Sequence, residues 1–175
     1  VAQDNASPVN VGINIGDFNT PPTSVNLTAA AFPITGNINS YYIITMLNGT
    51  ITVGSGGDYT SLTGPDGLFN AFNGNFVTGD VIAQIISDLT ETGESTLNQW
   101  VEQGAGNYTL TIQPDAAVNR TISGTYKGGL FRLSGADRVL IDGRYNGSGN
   151  YLTFINNKDT NTTATFQLIS LGAGL

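Results

Sequence analysis

The sequence contains no cysteine and no histidine, and only one methionine and one tryptophan. Without thiols or imidazoles there is no disulfide framework, no thiolate nucleophile, no imidazole general base and no zinc site built on nitrogen or sulfur ligands. Chemistry would have to come from carboxylate, guanidinium, amine, phenol and hydroxyl groups. Charge is scarce as well: Asp, Glu, Lys and Arg make up 11% of the 175 residues, against about a quarter in ordinary soluble domains. Thirteen acidic residues against six basic ones give a net charge of -7, which repels phosphate backbones and anionic membranes, so no nucleic-acid partner is expected. No run reaches the roughly eighteen apolar residues of a helical membrane span, and Val1–Asn10 lacks the basic start and apolar block of a signal peptide.

What is present instead is glycine, at 23 residues, with much Asn, Thr and Ser. These suit exposed strands and turns better than solvated helices. The length fits one continuous unit. Residues 1–50, with Pro8, Pro21, Pro22 and Pro33 between short pieces such as Val11, Ile13, Ile15 and Tyr41–Ile44, read as an extended N-terminal β arm or edge segment, because proline blocks central-strand pairing. Residues 51–175 read as the body. In it, Leu68, Phe69 and Phe72 follow Pro65-Asp66 at helical spacing, which predicts one short helix able to lie across the open end of a β stack.

Beyond that helix the chain runs in short strands. Val81–Ile86 is almost continuously apolar, and Tyr108-Thr109-Leu110-Thr111-Ile112 alternates strictly, so Tyr108, Leu110 and Ile112 share an inward face. The same parity places Phe131 with Leu133, Val139 with Ile141, Leu152 with Phe154, and Phe166 with Leu168 inward. Strands with two or three inward residues are too short for a sandwich but can stack coil upon coil, at spacings of roughly 20 to 35 residues without an exact repeat. The expected fold is therefore all-β: a right-handed parallel β-helix, or solenoid, with an N-terminal capping helix and an extended N-terminal arm. Thr90–Gly106, which holds Glu91, Glu94, Leu97, Trp100 and Val101, fits this pattern worst: it reads as a second short helix bearing Trp100 or as a long turn leaving the stack, and the turn is the favoured expectation. Nothing after the strand Thr165–Ser170 resembles a cap, so the stack is expected to continue beyond residue 175 in a longer polypeptide.

Two stretches carry a family likeness. Ile51-Thr52-Val53-Gly54-Ser55-Gly56-Gly57-Asp58-Tyr59-Thr60-Ser61-Leu62 with the helix after it resembles the opening of pectin-methylesterase-type and pectate-lyase-type β-helices of the pectin-lyase-like superfamily. Asn107–Pro114, Arg120–Gly124 and Leu130–Gly143 resemble adhesin-like surface proteins of the Bacteroidetes. The likeness covers about Ile51 to Ser170 and implies fold and location more than activity. It implies export, typically by type 9 secretion, and placement outside the cell or on its surface. In the enzymes it resembles, activity sits on aspartates and arginines of neighbouring coils, and the local match here is Asp137-Arg138 with Asp142 and Arg144.

Asp137, Asp142, Arg138 and Arg144 are accordingly the best constellation, able in principle to act on a glycosidic bond or hold Ca²⁺; the favoured reading is turn aspartates paired with surface arginines. Asp88, Glu91 and Glu94 form the densest acidic cluster and read as a solvated turn, since no calcium-loop spacing accompanies them. Thr109 and Thr111, with Thr163 and Thr165, could begin an ice-binding row but read as ordinary strand residues. Tyr41, Tyr42, Tyr126, Tyr145 and Tyr151 could stack on sugars or serve simply as strand residues. Gly54-x-Gly56 lacks the Lys and spacing of a phosphate loop, and seven Asn-x-Ser/Thr sequons are what this composition yields by chance. No residue is assigned a catalytic, cofactor-binding or metal-binding role, and no cofactor is expected. The expected function is a non-catalytic secreted or cell-surface structural or adhesion module: a stalk, adhesin or filament segment. Its partners would be a glycan or surface protein, the secretion machinery, or itself through the arm or the open C-terminal coil. The alternative is the N-terminal part of a carbohydrate-active β-helix enzyme.

Overall fold

The computed structural model describes residues 45–169. The arm readings on Val11, Ile13, Ile15, Tyr41 and Tyr42, like Ser170 at the end of the expected last strand, lie outside them. Within this span the chain is an all-β parallel solenoid of about four turns with one short helix. Three strands per coil follow one another around three sheets. The first sheet stacks β1 (Met46–Val53), β2 (Phe76–Ile85), β6 (Leu110–Pro114) and β9 (Val139–Ile141), with the short β5 (Val101–Glu102) beside β2. The second stacks β3 (Leu89–Glu91), β7 (Arg120–Gly124) and β10 (Leu152–Asn156), and the third β4 (Leu97–Asn98), β8 (Gly129–Ser134) and β11 (Ala164–Ile169). Every ladder between these strands is parallel, as a solenoid requires when each strand meets its equivalent one coil later.

Alternation sets the facing of each strand. In β2, Val81, Ala83 and Ile85 are fully buried while Ile82 and Gln84 lie half-covered on the outer face. Their inward rows run from coil to coil: Val81 meets Leu110, which meets Val139, and Ala83 meets Ile112, which meets Ile141. Of the expected core residues, Phe131 and Leu152 are buried, whereas Leu133, Val139, Ile141 and Phe154 are only partly so. The last three belong to the fourth coil, which has a neighbour on one side only among the described residues. Aromatic rings pack between the third and fourth coils, with Phe131 edge-on to Phe154 at 5.3 Å and Phe166 at 5.3 Å from Phe131.

The helix α1 (Leu68–Gly74) is shorter than its sequence signal, starting after a Pro65-Asp66-Gly67 turn. It buries Leu68, Phe69 and Phe72 and occupies the place that a third-sheet strand would take one coil before β4. Asn73 Nδ2 donates to the Thr96 carbonyl at 2.7 Å, and the Asn98 N–H donates to Asn73 Oδ1 at 3.0 Å. Phe72 meets Trp100 edge-to-face at 5.3 Å.

The expectation that Thr90–Gly106 leaves the stack is wrong. That segment contributes to β3 in the second sheet, supplies β4 in the third, and returns to the first sheet as β5, with Leu97 and Trp100 in the core. Its two-residue strands carry too few alternating positions to register as strands in sequence, yet ladder pairing of β4 with β8 and of β5 with β2 holds them in place.

Candidate functional site

The residues capable of chemistry collect at the corners between sheets. At the corner leading from the third sheet into the first, the β5 residue Glu102 is the hub. Its Oε1 accepts from Trp100 Nε1 (3.2 Å), the Tyr108 N–H (2.9 Å) and Arg138 Nη2 (2.7 Å), and its Oε2 accepts from the Asn107 N–H at 2.8 Å. Asn107 sits at φ 62°, in the left-handed region that Asn tolerates better than most residues. The main-chain hydrogen bond from Asn107, reinforced by those from Tyr108, Trp100 and Arg138, holds the Glu102 carboxyl below the usual carboxylate range. Arg138 also donates from Nη1 to Asp137 Oδ2 at 2.6 Å and from Nε to the Tyr108 carbonyl at 3.0 Å. It thereby ties coil four to coil three.

The corner between the first and second sheets grows as the solenoid proceeds, from 3 residues after β2 to 5 after β6 and 10 after β9. It carries two separate ion pairs. Arg120 grips Asp115 at 2.8 Å, and Arg144 binds Asp142 side-on, Nε to Oδ1 and Nη2 to Oδ2, both at 2.8 Å. The Arg144 N–H closes an Asx turn on Asp142 Oδ1 at 3.0 Å. This pairing with Arg144 lowers the Asp142 carboxyl to about 2 and raises the Arg144 guanidinium. Beyond it a two-residue hairpin turn, Tyr145 to Ser148, projects Asn146 and Gly147. Tyr145 and Tyr151 are half-exposed on either side of it. Phenol rings, amides and an Asp–Arg fork together offer the donors and acceptors that a polyhydroxylated ligand uses.

The four residues singled out from sequence thus divide between two corners, at opposite ends of β9. Asp137 is engaged by Arg138, Asp142 by Arg144, and the two carboxylates do not face one another across a shared cleft. The acidic cluster also divides. Asp88 Oδ1 accepts from the Thr121 N–H of the next coil at 2.7 Å, and Glu94 is exposed. Glu91 departs from the solvated-turn expectation: it is 2% exposed, with Oε1 accepting from the Leu62 N–H (2.8 Å) and Oε2 from the Thr63 N–H and hydroxyl (both 2.6 Å). Strand parity was the signal for this, since Leu89-Thr90-Glu91 places Glu91 on the same face as Leu89. Asp80 works in the same way, accepting from the Thr109 N–H (2.8 Å) and hydroxyl (3.0 Å).

Thr109 and Thr111 belong to the first-sheet side and Thr165 to β11 in the third sheet, so these threonines form no common row. Tyr126 lies partly buried beneath the Arg132 guanidinium, 4.7 Å from the ring centre. The Gly54-x-Gly56 loop returns on itself, with the Gly54 N–H donating to the Tyr59 carbonyl at 2.8 Å and Asp58 Oδ2 accepting from the Thr52 N–H and hydroxyl, both at 2.8 Å. Among the described residues no three carboxylates converge as metal ligands, and no helix is long and apolar enough to cross a membrane. No protein-family model, curated protein or solved structure matches this chain.

Proposed function

We propose that this chain is a non-catalytic structural or adhesion module of a secreted or cell-surface protein. The observation that carries this reading is where the carboxylates go. Asp80, Asp88, Glu91 and Glu102 each accept hydrogen bonds from residues 28 to 36 positions away, one coil distant. Asp58, Asp115, Asp137 and Asp142 are held by Thr52, Arg120, Arg138 and Arg144. Acidic groups that fasten coils together are acting as struts, and a solenoid so fastened is a spacer with long lateral faces.

In this reading the solenoid is right-handed and pectin-lyase-like, and α1 closes its N-terminal end. Export by a type 9 route in a Bacteroidetes-like organism belongs to the same reading, on the resemblance carried by Asn107–Pro114, Arg120–Gly124 and Leu130–Gly143. The Tyr145–Tyr151 corner is the place for a glycan or a surface protein. The second reading, the N-terminal part of a carbohydrate-active enzyme, draws on the same corner. An assay of the full-length protein on polyuronides and other glycans separates the two: the structural reading expects no turnover, and turnover abolished by Asp142→Asn overturns it.

A further inference from the structure

We propose that the tip of the Tyr145–Ser148 hairpin is a self-modifying site: Asn146 loses its side-chain amide to attack by the Gly147 main-chain nitrogen, and the isoaspartate formed opens the turn. The chain has three Asn-Gly pairs, Asn48-Gly49, Asn73-Gly74 and Asn146-Gly147. In each, glycine has no Cβ to shield its nitrogen, which is the sequence condition for this attack. All three asparagines are exposed, so access to water does not separate them. What separates them is how each is held. Asn73 is pinned at both ends of its amide, by the Thr96 carbonyl and the Asn98 N–H, and Gly74 is the last residue of α1. Asn48 donates from Nδ2 to Thr78 Oγ1 at 3.0 Å and lies in β1 between the ladder pairs Leu47–Val77 and Gly49–Val81. To bring Cγ onto the next nitrogen, either residue must break a bond to another segment and rotate the main chain inside a regular element.

Asn146 is held by far less. The side-chain bonds around it belong to Asp142, Arg144 and Ser148, and among the described residues Asn146 takes part in none. Its turn hangs on the two main-chain bonds between Tyr145 and Ser148, both 3.1 Å. With Asn146 at φ 49° and Gly147 at φ 76°, it follows the tight pattern that favours Asn-Gly. The turn is an isolated bridge outside the three sheets, so rotation about Asn146 breaks no ladder.

The reaction consumes only water. The Gly147 nitrogen gives up its proton and bonds to Asn146 Cγ, the Cγ–Nδ2 bond breaks, and the amide leaves as ammonia. The cyclic imide then takes up water at either carbonyl, giving aspartate or, when it opens on the other side, isoaspartate. Isoaspartate routes the main chain through Cβ and so lengthens it by an atom at the tip. A two-residue turn has no slack for that atom, so the bonds between Tyr145 and Ser148 are lost. The new carboxylate also stands beside the Asp142–Arg144 fork and makes the chain more negative. This corner, the longest of its series, therefore changes shape and charge as the protein ages, whatever it binds.

Incubating the folded chain in mildly alkaline buffer tests this, with conversion located by peptide mass spectrometry and isoaspartate by enzymatic methylation. Asn146 should convert at least about tenfold faster than Asn48 or Asn73. In urea the three should convert at similar rates, because the helix and ladder that protect the other two are gone. In NMR spectra of the converted chain, the Tyr145 and Ser148 amides should take the temperature coefficients of amides bonded to water. Freshly prepared Asn146→Asp has the new charge without the extra main-chain atom, and it should keep both amides bonded. Conversion at Asn146 no faster than at Asn48 and Asn73 in the folded chain, a converted chain that keeps both turn bonds, or an Asn146→Asp chain that has already lost them would each overturn the proposal without bearing on the structural reading above.

Discussion

Replacing Glu91 tests whether acidic side chains hold the first coils together. Among the described residues its carboxylate is the only acceptor for the Leu62 and Thr63 amides, and the Thr63 hydroxyl it binds in turn accepts from the Gly93 N–H at 2.9 Å. Glu91→Ala leaves two buried amides without partners, at about 1–3 kcal/mol each, for an expected loss of about 2–6 kcal/mol. That is a large part of the roughly 5–15 kcal/mol that a domain of this size commands. Glu91→Gln keeps the volume but not the chemistry, because its amide has one accepting oxygen and turns an NH₂ group toward donors. It should lose about 2 kcal/mol and fail to rescue. Trp100, the one tryptophan, packs on Phe72 of α1 and reports this junction by fluorescence during urea unfolding. Amide exchange adds the location: Leu62 and Thr63 should lose protection in both variants while Ile112 and Ile122 keep theirs. If Glu91→Gln matches the parent within about 0.5 kcal/mol and both amides stay protected, the strut argument fails.

Three further changes probe other links. Gly124→Ala should cost at least about 1–3 kcal/mol in thermal melts, because a Cβ there would overlap the Glu91 carbonyl oxygen and press on Leu130; an unchanged melting temperature would contradict the close approach of β3 and β7. Ile112→Asp places a charge in a closed core and should cost more than about 4 kcal/mol, while its neighbour Thr111→Ala, on the outer face, should stay within about 0.5 kcal/mol; circular dichroism melts in the reverse order would reassign the faces of β6. By NMR, Asp142 should titrate at about 2 and return toward about 4 in Arg144→Ala. Since its folded value is depressed, whatever stability the pair lends is present above about pH 4 and lost as pH falls toward 2; an unmoved midpoint would remove Arg144 as the cause.

The parallel stack, its inward rows and the single helix were legible in the sequence because period-two alternation survives in strands as short as Leu110–Pro114. The repeat itself was hidden. Equivalent residues are 29 apart from Val81 to Leu110, 33 from Leu89 to Ile122 and 36 from Leu97 to Leu133, as corners of unequal length absorb the difference. β4 and β5, with two residues each, have no periodicity to read and exist only through their ladder partners. That is why Thr90–Gly106 looked like a departure from the stack. At the corners, the local pairs Asp137–Arg138 and Asp142–Arg144 could be read from adjacency. The bonds from Glu102 to Arg138 and from Asp80 to Thr109 span 36 and 29 residues and need the coil pitch, which the sequence conceals.

The acidic surplus follows from the same geometry. In the flat part of each coil the main-chain N–H groups pair with the next strand, but at a corner the chain turns away and some donors are left over. A carboxylate can take two or three of them at once and tolerates irregular directions, as Glu91 and Glu102 do, whereas an ammonium or guanidinium can take none. A solenoid with variable corners is therefore stabilised by Asp and Glu beyond the number its few arginines can neutralise. For such a chain a cluster of acids in sequence is poor grounds for assigning catalysis. The discriminating observation is the donor on the other side: a backbone amide one coil away marks a strut, and a carboxylate free of such donors, opposite another across an open cleft, would mark chemistry.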